Sequence, residues 1–153
     1  MAILLREYAE RHGLLPRLEH VRIRATDVDR PSLEAARRGE FADFAFTEAP
    51  AGMRERWFEG TKRARLRAEP RARVEFAPLD LMRDAFPAGQ ALIICRNVII
   101  YFERDVQEEL FVRFHEALAP GGFLVLGKVE TLFGRAANRF RPVAHRERIF
   151  RKA

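Results

Sequence analysis

The stretch ICRNVIIYF, residues 94–102, decides how this chain is read. It is an apolar run interrupted by a guanidinium and an amide, Arg96 and Asn97, and closed by an aromatic pair, Tyr101 and Phe102. Residues 91–95, leading into it, are too uniformly apolar for a half-exposed sheet. A strand buried on both faces fits, and that points to a parallel sheet covered by helices. Arg96 and Asn97 then fall where the strand stops. There they escape the cost of burying polar groups without partners. The plain structural alternative for Arg96 is a pairing with a carboxylate.

Downstream, residues 104–118 carry a helical pattern, with Val106, Leu110, Phe114, Ala117 and Leu118 on one side. Pro120-Gly121-Gly122 ends it. Residues 123–126 predict another buried strand, and residues 147–151 a final edge strand. Upstream, residues 2–12 predict a helix with Leu4, Leu5, Tyr8 and His12 on one face and Gly13 as its stop. Residues 21–25 alternate and predict a strand that runs into Asp27. Asp29 caps the next helix, with Pro31 in its first turn and Gly39 at its end. Residues 50–58 predict a short helix and residues 74–79 a further strand. The segment TKRARLRAEPRAR, residues 61–73, holds six basic residues against Glu69. Its alternation and Pro70 predict a two-stranded ribbon or a loose loop outside the core. Alternating strands and helices make the chain α/β.

The chain has 153 residues, 48% of them hydrophobic and 33% charged, which is enough for one domain with a core. The net charge of +6 comes from 25 Arg and 3 Lys against 22 acidic residues. That balance suits acidic partners, and equally a solvated basic surface. The Arg residues are interleaved with Ala and Leu and have no aromatic platform nearby, which argues against nucleic acid. One cysteine, Cys95, excludes an internal disulfide and a multi-cysteine zinc site, and its apolar setting predicts a buried, inert thiol. No apolar stretch approaches ~18 residues. The N-terminus lacks the features of a signal peptide. A cytoplasmic protein without membrane insertion is the expectation.

In open α/β sheets, ligands bind beyond the carboxyl ends of the strands. Three successive strands here end in polar residues: Asp27, Asp80, and the pair Arg96-Asn97. A carboxylate after a strand suits ribose hydroxyls, accepting two charge-assisted hydrogen bonds. Asp80 suits an exocyclic amine, with Leu81 packing on the base. Taken singly, Asp27 reads as a helix cap and Asp80 as a turn residue. Taken together at three strand ends, they point to a site. The four histidines form no metal-ligand spacing, and no HExxH or Ser-His-Asp pattern is present.

The run from residue 96, RNVIIYFERDVQEELFVRFHEALAPGGFLVLGKVETL, resembles the C-terminal half of the CheR-type chemotaxis methyltransferases. ATDVDRPSLEAARRGEF, VEFAPLDL, CRNVIIYF and PGGFLVLG followed by a Glu are similar to that family's motifs, in the family's order. The resemblance implies a class I methyltransferase Rossmann-like sheet, with a small β insert at about residues 40–73. It implies S-adenosyl-L-methionine as cofactor. The implied activity is protein-glutamate O-methylation, with a methyl-accepting receptor or another glutamate-bearing protein as partner. By the same resemblance, Asp27 holds the ribose hydroxyls, and Asp80 and Leu81 meet the adenine. Arg96 and Asn97 line the cofactor pocket, and Tyr101 sits near the transferring methyl, so that Arg96 and Tyr101 are the catalytic pair. The family commonly has Asn where this chain has Asp80, and GHSE where it has Gly127-Lys128-Val129-Glu130. The family also carries a glycine-rich first strand and loop before the helix that AILLREYAE resembles. That strand lies between the second and the fourth. The expectation is therefore one partial methyltransferase domain over residues 1–153, N-terminally truncated, lacking its first strand and binding cofactor weakly or not at all. The competing expectation is a non-catalytic module whose basic stretch, residues 62–73, docks an acidic partner or receptor tail.

Overall fold

A computed structural model describes residues 1–61 and 63–153. The chain divides into two compact units, Met1–Asp80 and Leu81–Ala153.

The first unit opens with helix α1, Ala2–Arg11, and a single turn, α2, Leu15–Leu18. Gly13 has φ +67°, a left-handed conformation that halts α1 at little cost for glycine. The buried face of α1 is Ala2 and Ala9, while Leu4 and Tyr8 are exposed. The face that Leu4, Tyr8 and His12 share therefore looks outward, with the Tyr8 and His12 rings 4.3 Å apart. Polar anchors hold the helix instead: Glu7 Oε1 accepts from Trp57 Nε1 at 2.7 Å, and Arg6 pairs with Glu69 at 3.2 Å. Strand β1, Ile23–Asp27, leads into helix α3, Arg30–Arg38, which Asp29 caps and Gly39 ends in the left-handed region.

A small antiparallel sheet follows. Strand β2 is Glu40–Phe41, helix α4 is Met53–Trp57, β3 is Phe58–Glu59 and β4 is Ala64–Leu66, in the order β2-β4-β3. Helix α5, Ala68–Arg71, and strand β5, Val74–Pro78, complete the unit. The basic stretch is therefore neither a free ribbon nor outside the core. Its Ala64 is fully buried at the centre of the small sheet, and Pro70 is buried in the first turns of α5, where its missing N–H has no partner to lose. Lys62, which the expectation included, lies outside the described residues. Strand β5 pairs in parallel with β1, from Ile23 opposite Val74 to Asp27 opposite Pro78.

The second unit is built on helix α6, Arg104–Ala117, and a four-stranded sheet. Strand β6 is Gln90–Cys95, β7 is Leu118–Leu126, β8 is Phe140–Ala144 and β9 is Ile149–Lys152, with a short helix α7, Gly134–Ala137, between β7 and β8. The order is β6-β7-β9-β8, with β6 and β7 parallel and the outer hairpin antiparallel. Leu110, Phe111 and Phe114 of α6 pack with Leu124, Leu126, Phe140 and Phe150 in one core. Each such large side chain, when fully buried, contributes about 1.5–3 kcal/mol.

Three expectations change here. Strand β9 is interior, not an edge, because β8 pairs with its far side. Pro120-Gly121-Gly122 lies within the irregular first half of β7, not in a loop after α6. Strand β6 is not buried on both faces: Cys95 and Ile93 meet the core, while Leu92 and Ile94 are 40% and 44% exposed. Among the described residues no strand pairs with the second edge of β1 or of β6. No helix among the described residues is long and apolar enough to cross a membrane.

Candidate functional site

In the first unit, β1 and β5 run parallel and finish together. The N–H of Leu79 donates to the Asp27 carbonyl at 3.0 Å, so β5 tracks β1 to its last residue. Asp80 follows at once, which puts Asp27 and Asp80 at the same carboxyl end of this sheet. The Asp27 side chain is exposed, and its Oδ1 accepts the N–H of Asp29 at 3.0 Å. Asp80 is half-buried. The capping duty belongs to Asp29, whose Oδ2 accepts the N–H of Ser32 at 2.9 Å. Hydrogen bonds from the Ser32 side chain and then its backbone hold the Asp29 carboxyl below its ordinary range. The plain structural reading of Asp27 as helix cap thus passes to its neighbour.

In the second unit, β6 and β7 also finish together, with Cys95 opposite Leu126. Arg96 and Asn97 leave β6, and Gly127 leaves β7. Arg96 is exposed and makes no ion pair among the described residues. Asn97 has φ +58°, a left-handed conformation that Asn tolerates better than most residues. A tight turn, Ile99–Tyr101, follows, in which Ile99 is fully buried and Tyr101 is 82% exposed. Arg96, Asn97 and Tyr101 thus share one loop. Leu81 packs half-buried against the core of this unit, and its carbonyl accepts from Arg113 Nη1. The guanidinium of Arg113 also lies 4.2 Å from the centroid of the Phe86 ring.

Sequence reasoning placed Glu130 only at the end of a motif. It is the one charged residue among the buried residues described, 4% exposed. Its carboxylate accepts four backbone N–H groups. Oε2 takes Gly127 at 2.5 Å and Asn97 at 3.1 Å, and Oε1 takes Val98 at 3.1 Å and Ile99 at 2.9 Å. Gly127 has to be glycine, because a Cβ there would meet Asn97 Oδ1, and would come within 2.7 Å of Glu130 Oε2 and 2.9 Å of the Asn97 nitrogen. The neighbouring Cys95 thiol is pushed up to about 12, by burial first and by the Glu130 charge second, so it is neutral and inert at physiological pH. The only forward signal was a Glu three residues beyond an apolar strand that ends in Gly.

Within the first unit, much of the basic charge is already paired. Arg63 lies 3.7 Å from Glu40, Arg67 3.3 Å from Glu59 and Arg54 2.9 Å from Asp43.

Parallel strands whose carboxyl ends carry polar loops, packed with helices, make a Rossmann-like α/β fold. The crystal structure of the N-methyltransferase NodS from Bradyrhizobium japonicum, solved with S-adenosyl-L-homocysteine, has this fold. It aligns at a TM-score of 0.51 and 15% identity, over 92% of this chain and 70% of that one. The chain belongs to the CheR methyltransferase family, whose S-adenosylmethionine-binding domain matches residues 1–149. It is 36% identical to the putative methyltransferase Cher3 of Pseudomonas putida over all of this chain and 57% of that protein. It is 37% identical to chemotaxis protein methyltransferase 1 of Pseudomonas aeruginosa, over 73% of this chain and 42% of that protein. The chain thus spans about half the length of these relatives.

Proposed function

We propose that this chain serves S-adenosylmethionine-dependent methylation of glutamate side chains on a chemotaxis receptor. The observation that carries the reading is family membership over nearly the whole chain, joined to polar residues at the strand ends that its motifs mark. The chemistry of the polar residues in each unit, taken separately, suits parts of the cofactor. Asp27 offers an exposed carboxylate to ribose hydroxyls, and Asp80 an acceptor for an exocyclic amine, with Leu81 for the base. In this reading Arg96 and Asn97 contact the donor, and Tyr101, which is exposed, meets the transferring methyl. Arg96 is also placed to steer an acidic side chain.

When bound, S-adenosylmethionine supplies a methyl group on a positively charged sulfur. A glutamate carboxylate would accept that methyl and leave the neutral thioether of S-adenosylhomocysteine, with no proton to move. The protein therefore supplies alignment, and positioning accounts for most of the acceleration. That agrees with a loop bearing a guanidinium, an amide and a phenol, all poor bases at neutral pH. The partner is a receptor or other glutamate-bearing protein. Nothing favours nucleic acid, and the internal pairing of Arg63 and Arg67 weighs against a purely electrostatic docking module.

The test is transfer of radiolabelled methyl groups to a receptor cytoplasmic fragment. Label that alkali releases as methanol identifies a carboxyl methyl ester. Alkali-stable label, or label on a fragment whose glutamates are replaced by alanine, contradicts the reading.

A further inference from the structure

Glu130 is unusual because its buried carboxylate is served entirely by main chain. A charge taken out of water is costly unless it is fully paired. Here no cation pairs with it among the described residues, and four N–H groups do the work. Three of them, from Asn97, Val98 and Ile99, are consecutive. With Asn97 left-handed at φ +58° and Val98 at φ −118°, ψ −44°, they form a concave nest of the kind that binds anions. The fourth, from Gly127, belongs to the other strand-end loop. The carboxylate thus ties the loop after β6 to the loop after β7. What it fixes is a backbone path: Arg96 immediately precedes the nest, Asn97 is its first member, and Ile99 opens the turn that presents Tyr101.

We propose that Glu130 is a positioning residue for the methyl-donor site, holding residues 96–101 in the conformation that presents Arg96, Asn97 and Tyr101. This rests on the assignment of those residues to donor binding. It goes further in naming what sets their geometry. Glu130 touches no substrate. It acts through the loop.

The experiment compares three variants of the full chain with the wild type. Glu130→Gln keeps the shape but turns an amide NH2 toward two N–H donors. Glu130→Asp keeps the charge and withdraws it by one methylene. Phe140→Leu weakens the same core, and Phe140 lies outside both strand-end loops. Affinity for S-adenosylhomocysteine is measured at a temperature where each protein is fully folded, alongside amide NMR. Glu130→Gln is predicted to lose affinity about tenfold or more, with the amide resonances of Asn97, Val98, Ile99 and Gly127 moving upfield as they lose a charged acceptor. Glu130→Asp falls between it and the wild type. Phe140→Leu stays within about twofold of wild type even at equal loss of thermal stability. The proposal is overturned if Phe140→Leu loses as much affinity as Glu130→Gln, or if both Glu130 variants bind as the wild type does. If Glu130→Gln does not fold, Glu130→Asp alone decides between the same outcomes. A wild type that does not bind S-adenosylhomocysteine at all rejects the donor-site assignment itself, and this inference with it.

Discussion

The two strand-end loops of this molecule are built on opposite plans. At the end of β1 and β5, the polar groups are exposed and held by short-range turn chemistry, Asp27 by the N–H of Asp29 and Asp29 by Ser32. At the end of β6 and β7, a buried carboxylate spans 31–33 residues of sequence to gather N–H groups on the β6 loop. The first plan costs little and tolerates change. The second commits a charge to the interior, so its loss strips four N–H groups of their acceptor at once.

This contrast can be broken in a graded way. Glu130→Leu orphans four N–H groups, those of Ile99 and Gly127 buried and those of Asn97 and Val98 partly so, and is predicted to cost about 3–5 kcal/mol of stability, read by denaturant melts. A loss below about 1 kcal/mol would mean the nest is solvated. Gly127→Ala comes next, at about 1–3 kcal/mol, because its Cβ has no room beside Asn97 and Glu130. Asp27→Asn, on the exposed plan, is predicted to leave stability within about 0.5 kcal/mol while lowering affinity for S-adenosylhomocysteine about tenfold. Equal damage to stability from Asp27→Asn and Gly127→Ala would erase the distinction. Cys95, with its thiol pushed up to about 12, is predicted to resist alkylation at pH 8 until the chain unfolds.

The smallest effect is on pH dependence, which hydrogen exchange reads separately at α3 and α6. His115 is held below its ordinary value of 6.5, by burial first and then by the charges of Lys152 and Arg139, with Glu116 opposing. Its unfolded form takes up a proton more readily, so the second unit's stability is complete above pH 6.5 and declines as the pH falls toward the folded-state value. Asp29 has its carboxyl depressed below 3.8, so its contribution to α3 is complete above that pH and is lost only in stronger acid. Weakening of α3 protection before that of α6 on acidification would reverse this prediction.

How far the sequence carried depends on whether a residue's neighbours are local. Strand β6, the second half of β7 and helix α6 were legible because their apolar runs and 3.6-residue spacing are strong. Asp29, Pro31 and Gly39 marked both ends of α3. Strand β8 was not legible, since Phe140 and Val143 flank an arginine and a proline, both exposed, and its pairing with β9 is tertiary. Strand β4 hid among arginines because the side chain it buries is a single alanine, Ala64. The exposed face of β6 escaped because an apolar run reports what a strand is able to bury, not what covers it. Glu130 is the sharpest case: a lone Glu in a loop looks the same whether it meets water or four N–H groups, and only the return of β7 alongside β6 distinguishes them.

The central claim is that the polar residues at these strand ends receive an adenosyl methyl donor. Its most direct test is an isotope-edited NMR titration of the full chain with S-adenosylhomocysteine, carried to millimolar ligand so that weak binding registers. The prediction is saturable shifts concentrated at Asp27, Asp80, Leu81, Arg96, Asn97 and Tyr101. Shifts absent at those positions, or confined to the arginines of β4 and its flanks, would contradict it.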